Sequence, residues 1–226
     1  MTAFKWAGLA FILLAAALAG ALTYGNARWN ALTRELMARL EAARSAPSPA
    51  RYDQARELDG LPPPVQRFFR SVLRDDAPMI TAATVQHIGT FNMSDSGGGV
   101  AQGELMRFVA EASWYPTALL PSQGVRWQAV DETSAKATLS DGPITLTLLF
   151  RFGADGTIAS IRAEARGRTV QGQVIPTPWE GVWSRYAERD GLRVPLAGEV
   201  AWLTPEGRKP YWRGTITALT YEFAAW

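Results

Sequence analysis

The longest hydrophobic run in the sequence lies near its N-terminal end. The 19 residues from Trp6 to Tyr24 carry no charge, and Lys5 precedes them. As a helix this run covers about 28 Å, close to the hydrocarbon thickness of a bilayer. The alternative is a cleaved signal segment with a small-residue site at Ala19-Gly20-Ala21. We favour a retained transmembrane anchor, because the run is longer than the apolar region of a typical signal peptide.

The charges around this run give conflicting indications of orientation. Only Lys5 precedes the run, whereas four arginines follow it within 20 residues, namely Arg28, Arg34, Arg39 and Arg44. The positive-inside rule would place the rest of the chain in the cytoplasm. A short tail that ends in lysine before an apolar run is instead typical of an export signal. Between the two we favour a single-pass membrane protein with an extracytoplasmic soluble domain.

Two amphipathic helical patterns follow the apolar run. From Arg28 to Arg44, apolar residues recur every three or four positions, either as a continuation of the membrane helix or as a separate helix. Ser45–Pro49 predicts a linker. A second helix is expected from Val65 to Leu73, after a proline that suits a first turn. Its predicted buried side contains Val65, Phe68, Phe69, Val72 and Leu73.

From about Thr81 the pattern changes to the two-residue period of β-strands. Turn sequences such as Asp190-Gly191 separate the alternating segments and predict an antiparallel meander. The predicted strands are 84–93, 125–129, 144–152, 157–168, 183–189, 194–203 and 211–223. One helix, Gln102–Trp114, interrupts them, and its predicted inner face contains Leu105, Phe108, Val109 and Ala112.

The expected fold class is α+β. An N-terminal transmembrane helix and two short amphipathic helices precede an antiparallel β-sheet, a half-barrel or meander of about seven or eight strands, with one helix packed across it. We divide the chain into an anchor or signal segment (1–25), a helical basic region (26–74) and a β domain (75–226). One helix covers only part of the apolar sheet face. The rest forms a closed barrel, a concave groove or a dimer interface.

Composition excludes several classes of site. The chain has no cysteine and one histidine, which excludes disulfides, thiolate sites and multi-histidine metal sites. Residues 26–74 contain nine Arg and five acidic residues, a net charge of +4, whereas residues 75–226 contain thirteen basic and sixteen acidic residues, a net charge of −3. The acidic β domain argues against nucleic-acid binding. The basic region suits either anionic lipid headgroups or a solvated arginine face.

Few residues suggest chemistry. Gly98 and Gly103 have the spacing of a phosphate-binding loop, but Glu104 follows where that loop needs lysine. His87 shares a strand face with apolar residues, and no nucleophile motif accompanies it. Glu104 and Glu111 flank Arg107 at helical spacing, which predicts ion pairs rather than a catalytic carboxylate pair. We expect no cofactor and no metal.

Tryptophan is the most suggestive residue type in the β domain. Any one of these side chains is more commonly core than ligand-lining. Clustered aromatics can nevertheless line a groove for an apolar ligand. The predicted ligand-lining set is Trp114, Trp127, Trp179, Trp212 and His87, with Trp179 at the rim because prolines and Gly181 surround it.

Several longer motifs resemble a known bacterial family. They are Glu104–Pro121 (ELMRFVAEASWYPTALLP), Gly124–Trp127, Pro176–Gly181 (PTPWEG), Val194–Trp202 and Tyr211–Gly214 (YWRG). The family is an uncharacterised, membrane-anchored one, known only as a domain of unknown function, and the resemblance covers about residues 58–224. It implies a membrane-tethered α+β protein and no activity, ligand or catalytic residue.

The sequence departs from that family at one place. Family members have a longer stretch between the strand that ends Gly89–Met93 and the helix that begins near Gln102. In this chain only Ser94–Ala101 remains. A sheet shortened there would expose strand edges and apolar surface.

These observations favour a non-enzymatic, membrane-anchored module that binds a lipid or other apolar ligand in an aromatic-lined groove. The alternative is a structural protein that docks a partner or a second copy through its sheet face. An enzyme that uses His87 or Glu111 is the least favoured, because no motif assembles nucleophile, base and stabilising donor.

Overall fold

The apolar run and the amphipathic segment after it form one helix. The computed structural model describes residues 2–44, 49–92 and 101–225, with side chains from Trp6 onward. The chain divides into two compact units, Met1–Ser45 and Ala46–Trp226. The first is helix α1 (Thr2–Ala42). In the described part of the chain, α1 alone has the length and composition of a membrane-spanning helix or signal sequence. Most of the predicted linker, residues 45–48, lies outside the described residues.

Two short helices open the second unit. Helix α2 (Gln54–Leu58) is capped by Asp53, whose carboxylate accepts a hydrogen bond from the Arg56 N–H at 3.1 Å. Helix α3 (Pro63–Val72) begins with proline, whose fixed φ suits a first turn. The predicted core residues Val65, Phe68, Phe69 and Val72 are buried, and so is Leu73, the residue after the helix. The expected amphipathic character of α3 is confirmed.

Eight antiparallel strands form a single sheet, so the expected fold class is confirmed. Their order is β1-β8-β7-β6-β5-β4-β3-β2. Strands β2 to β8 form a meander, and β1 joins the far side of β8, so that β1 and β2 are the edges among the described strands. The strands are β1 (Ile80–Phe91), β2 (Arg126–Asp131), β3 (Ser134–Asp141), β4 (Ile144–Phe152), β5 (Ile158–Val170), β6 (Gln173–Arg189), β7 (Leu192–Thr204) and β8 (Gly207–Phe223).

Two strand predictions were wrong. Strand β3 was missed, and β6 begins ten residues before the predicted start at Trp183. Pro176 and Pro178 obscured the first half of β6, because proline disrupts a regular ladder. The structure accommodates Pro178 where the β5–β6 register shifts between Ala163 and Arg166. The predicted end of β1 at Met93 lies outside the described residues.

Helix α4 (Ala101–Glu111) packs on β4 and β5, which pair with each other only over Leu149–Phe152. It is shorter than predicted, and its inner face differs. Met106, Val109 and Ala110 are buried, whereas Phe108 is 45% exposed. Phe108 turns outward because it packs on Tyr115, with ring centroids 5.6 Å apart, in the segment that follows the helix.

Helix α3 fills the space above one part of the sheet. The Phe68 ring lies 5.7 Å from Phe152, and the Phe69 ring lies 6.5 Å edge-on from Trp127. The β4–β5 turn also touches this helix. A Cβ at Gly156, which has a φ of +80°, would lie 3.2 Å from the Arg67 carbonyl oxygen. Glycine therefore lets the turn adopt a left-handed conformation while α3 packs closely against it.

Candidate functional site

Three indole rings meet where the segment after α4 crosses the sheet. The Trp114 ring lies 5.0 Å from Trp183 on β6 and 6.3 Å from Trp212 on β8, edge-on in both pairs. The Trp114 indole N–H donates to the carbonyl oxygen of Pro195 on β7 at 3.0 Å. This bond fixes a loop residue against the sheet, and the apolar rings face a shared space.

A row of three glycines, which we call the glycine row, makes room for two of these rings. Gly198, Gly214 and Gly89 are neighbours across β7, β8 and β1, and Trp183 pairs with the first of them. A Cβ at Gly198 would clash with the Trp183 ring, and one at Gly214 would clash with the Trp212 ring. The indoles therefore lie flat on the strand backbone. Glycine inside a strand often marks such a close approach.

Above these rings is a cavity of about 480 Å³, which we call the indole cavity. Its volume falls in the range of small-molecule binding sites. The β1 residues that line it, from His87 to Phe91, are exposed, so the cavity opens to solvent beside this edge strand. Its walls include side chains from α4, the segment after α4 and strands β5 to β8: Trp114, Trp183, Trp212, Trp179, Tyr211, Val200, Ala110, Glu104, Glu111, Arg107 and Arg166.

One wall of the cavity is held together by hydrogen bonds and ring stacking. The Trp179 indole N–H donates to the Tyr211 hydroxyl oxygen at 2.8 Å. The Tyr211 ring stacks on Trp202, with centroids 5.5 Å apart. Trp179 is only 2% exposed, so the predicted rim position is wrong. The prolines beside Trp179 do not form an exposed loop but belong to β6, where this side chain points into the structure.

The wall formed by α4 is charged. Glu111 accepts a hydrogen bond from the Arg107 Nε–H at 2.7 Å, and a Glu104 oxygen lies 3.7 Å from Arg107 Nη1. The predicted ion-paired helix face is therefore confirmed. The hydrogen bond with Glu111 raises the pKa of the Arg107 guanidinium. Beside them, burial raises the pKa of Tyr115, whose hydroxyl donates to the Phe108 carbonyl oxygen at 2.9 Å.

Four of the five predicted ligand-lining residues lie around the indole cavity. Trp114, Trp179, Trp212 and His87 all line it, with His87 edge-on to Trp212 at 5.3 Å. Trp127 lies elsewhere, 5.0 Å from Phe150, and its indole N–H donates to the Leu119 carbonyl oxygen. That these residues bind a ligand stays a prediction, and Trp127 no longer belongs to the set.

Several cavity residues were not predicted. Trp183 was considered only among the tryptophans of the β domain and was left out of the predicted set. Tyr211 was noted only in a strand and in the YWRG motif, and Arg166 had no motif around it. The glycine row did carry a signal, since Gly198 and Gly214 interrupt alternating strands that otherwise contain few glycines. Their alignment across three strands depends on register, which one sequence does not reveal.

Other predicted features give no site in the described residues. The glycine run at 97–99, with Gly98 of the tested loop, lies outside them, and so does most of the shortened segment 94–101. In the described ranges, no three His, Asp or Glu residues are grouped so that they could hold a metal ion.

Comparison with protein families gives two matches. A family model described as a family of unknown function (DUF6920) matches residues 94–221, which is more than half of the chain. A second family of unknown function (DUF6544) matches residues 51–101. No curated protein and no solved structure matches the chain. Strand β1 lies in the range 51–101, whereas α4 and the cavity-lining residues of β5 to β8 lie in the range 94–221. The indole cavity therefore has wall residues from both matched ranges.

Proposed function

This chain belongs to the DUF6920 family of unknown function, and we propose that it is a membrane-anchored, non-enzymatic protein that binds a lipid or other apolar ligand in the indole cavity. The expectation that the chain is a member of a family of unknown function is confirmed. The fold and the cavity carry the functional proposal, since the family itself implies no activity.

The observation that carries the proposal is a large cavity between aromatic side chains, in a space that larger side chains could have filled. Protein interiors are close-packed, and voids larger than a water molecule are few. Here, Gly198 and Gly214 let the Trp183 and Trp212 rings lie against the strands, and Ala110 presents only a methyl group to the cavity, so the space above the rings stays open. Indole rings and Val200 present apolar surface to that space, which favours an apolar ligand over water.

The same geometry gives less support to the enzyme hypothesis. Glu111 is held by Arg107 at 2.7 Å, and the Tyr211 hydroxyl accepts the Trp179 indole N–H. His87 packs edge-on against Trp212 beside the opening. A catalytic base is typically oriented by a hydrogen bond to a third group, and the described contacts give His87 none.

We extend the proposal to the first unit. Helix α1 has the length and composition to span a bilayer once, and we assign it as the anchor of an extracytoplasmic binding domain. Because the chain lacks cysteine, a single cysteine introduced by Gln102→Cys, at an exposed position, reports its own side of the membrane. A membrane-impermeant maleimide should label it in intact cells, and labelling only after lysis would contradict the assignment.

Photoaffinity labelling tests the binding function. The full chain is placed in phosphatidylcholine nanodiscs with diazirine-bearing dodecanol or dodecanoic acid, and labelled peptides are identified by mass spectrometry. We expect labelled residues on the cavity walls, in peptides that contain Trp183 or Trp212. Ala110→Phe should abolish this labelling, because Ala110 is 2% exposed and faces the cavity.

A matched variant on the same helix is the control. Ala101 lies at the start of α4 and is exposed, so Ala101→Phe adds the same ring outside the cavity. Labelling of α1 by probe in the bilayer provides an internal reference. If wild-type cavity peptides remain unlabelled by both probes, or if Ala110→Phe labels as strongly as wild type, the binding proposal is wrong.

The alternative, docking of a partner or second copy, has one favourable observation. Edge strand β1 exposes 67% of Ile88 on a strand that is unpaired on one side among the described strands. Exposed edges are templates for pairing with another chain. Cross-linking of the full chain in nanodiscs should then give dimers that Ile88→Lys removes. A monomer that binds probe leaves only the ligand proposal.

A further inference from the structure

The charged groups in the indole cavity fall into two sets. The first set is on α4, where Glu104 and Glu111 both lie against Arg107. Each of these carboxylates therefore already faces a cation. A cationic ligand would have to displace Arg107 from its hydrogen bond with Glu111, so the α4 wall is poorly suited to bind one.

The second set is a single guanidinium on β5. Arg166 is half-buried, its Cζ lies 5.2 Å from the centroid of the Trp179 ring, and its Nη1 is 3.5 Å from the Tyr211 hydroxyl oxygen. No carboxylate among the described residues lies within 4.0 Å of it. Other half-buried arginines of this unit do have such partners, at 2.8–3.1 Å: Arg51 with Asp76, Arg162 with Glu164, and Arg193 with Asp155.

The contacts of Arg166 hold its guanidinium in place but use few of its hydrogen-bond donors. A guanidinium has five N–H donors in a planar fork. The described contacts of Arg166 are the aromatic face of Trp179 and one long contact to Tyr211, whose oxygen already accepts the Trp179 indole N–H. Because Arg166 is half-buried and lines the open cavity, its other donors can be reached by a ligand in that cavity. A planar carboxylate or phosphate can accept two of them at once.

We propose that the ligand of the indole cavity is an amphiphile whose anionic head binds Arg166 and whose hydrocarbon chain lies against Trp183 and Trp212. This inference rests on the proposed function and names the class of ligand. The shared chemistry is a carboxylate or phosphate on a single apolar chain. Such a molecule matches the cation at one wall and the indole surface above the glycine row.

The test compares head groups on one chain length. Diazirine-bearing dodecanoic acid, dodecanol, dodecylamine and dodecyl phosphate are titrated onto the full chain in phosphatidylcholine nanodiscs. The half-saturating concentration for labelling cavity peptides is then measured for each probe. We expect an anionic probe to be preferred over dodecanol by about tenfold or more, the range for a hydrogen bond to a charged group.

Three variants of two arginines on the same strand separate recognition from folding. Arg166→Gln should reduce the preference for the anionic probe to about onefold, and Arg166→Lys should restore part of it. Arg162→Gln, four residues away and paired with Glu164 outside the cavity, should keep the wild-type preference. Equal melting temperatures of the two glutamine variants show that the β5 substitution leaves the fold intact.

The outcomes distinguish a failure of this inference from a failure of the proposed function. Equal labelling of the cavity by acid and alcohol overturns the anionic head while the apolar site stands. Preference for dodecylamine overturns it in favour of the α4 carboxylates. An anionic preference that survives Arg166→Gln also overturns it. Labelling of no cavity residue by any probe overturns the proposed function itself.

A last arm distinguishes the sources of the anion. Inorganic phosphate is added at up to 10³ times the probe concentration, an estimate of about the excess needed to detect weak competition. No competition shows that the chain contributes binding, as expected for a lipid-like ligand. Full competition with dodecyl phosphate shows a site for free phosphate, which would contradict an amphiphile. The relative affinities of dodecanoic acid and dodecyl phosphate then identify the preferred head.

Discussion

Two aromatic groups lie on the same face of the sheet, one packed solid and the other enclosing a cavity. In the first, which we call the filled group, α3 inserts Phe68 and Phe69 against Trp127, Phe150 and Phe152. In the second, the open group, Trp114, Trp183 and Trp212 meet across the glycine row. The strand register places both groups on one face, through cross-strand partners from Ala135 to Phe91.

The comparison teaches that the neighbours of a tryptophan, rather than its place in a strand, decide whether it is core or cavity wall. Trp127 and Trp212 both alternate with polar residues and both resemble ligand-lining positions in sequence. A helix with two phenylalanines fills the space above Trp127. The space beside Trp212 stays open because Gly214 lets this ring lie against its own strand and because Ala110, on the cavity wall, has only a methyl group.

The largest expected effect comes from truncating one ring in each group. Phe68→Ala should lower the free energy of unfolding by about 3–5 kcal/mol, because it opens a void in a packed core. Trp212→Ala should cost less, about 1–2 kcal/mol, because this half-buried ring already borders open space. Thermal unfolding followed by the β-sheet circular dichroism signal measures both.

The ligand readout should show the reverse order for these variants. Trp212→Ala should remove most photoaffinity labelling of the cavity, whereas folded Phe68→Ala protein below its melting temperature should retain it. If Trp212→Ala is as destabilising as Phe68→Ala and both label normally, the two groups are equivalent cores and the distinction fails.

The second prediction tests whether the glycine row is needed for the position of the Trp212 ring. Gly214→Val should destabilise the protein by about 1–3 kcal/mol, because its side chain would occupy the space of the Trp212 ring. A displaced indole would leave its place on the wall of the indole cavity, so probe labelling should fall with it. Ala165→Val, at an exposed position of β5, is the control for adding a branched side chain to a strand. A Gly214→Val protein of wild-type stability and labelling would show that the ring does not depend on glycine.

The sequence was sufficient for the parts of the fold that repeat a local pattern. The apolar run, the inner face of α3, strand β4 and the Asp190-Gly191 hairpin all follow from spacing or turn chemistry. The inner face of α4 did not, because Phe108 found a partner in Tyr115 beyond the helix. The long β5–β6 hairpin was likewise hidden by Pro176 and Pro178, of which Pro178 lies where the β5–β6 register shifts.

The candidate site was partly predictable for a related reason. Residue type suggested tryptophans and His87, and four of those five side chains do line one cavity. Excluding Trp127 requires knowing that α3 packs above it. Including Arg166 requires knowing that no carboxylate of the described residues pairs with it. Both depend on contacts between residues distant in sequence, which periodicity within one element does not contain.

The smallest expected effect is a dependence of stability on pH that arises beside the filled group and leaves the open group unchanged. Asp155 lies in the β4–β5 turn beneath α3, where it accepts hydrogen bonds from Thr157 and from Arg193 at 2.8 Å. Burial alone would raise the pKa of this carboxyl, but these hydrogen bonds and the Arg193 charge outweigh it, so the pKa is lowered. The stabilisation is therefore complete above the ordinary aspartate pKa of about 3.9 and is lost as the pH falls through the lower folded-state value.

Comparing the wild type with Asp155→Asn isolates the stabilisation that the Asp155 carboxylate provides. At pH 7 the wild type should be more stable by at most about 1 kcal/mol, because the carboxylate is half exposed and its ion pair is screened by solvent. The difference in melting temperature should shrink as the pH is lowered from 5 towards 2, the range of about two units around the ordinary aspartate pKa. Probe labelling at pH 7 should be unchanged, since Asp155 does not line the indole cavity. A stability difference that grows on acidification would contradict the lowered pKa, and a loss of labelling would show that the filled and open groups are coupled.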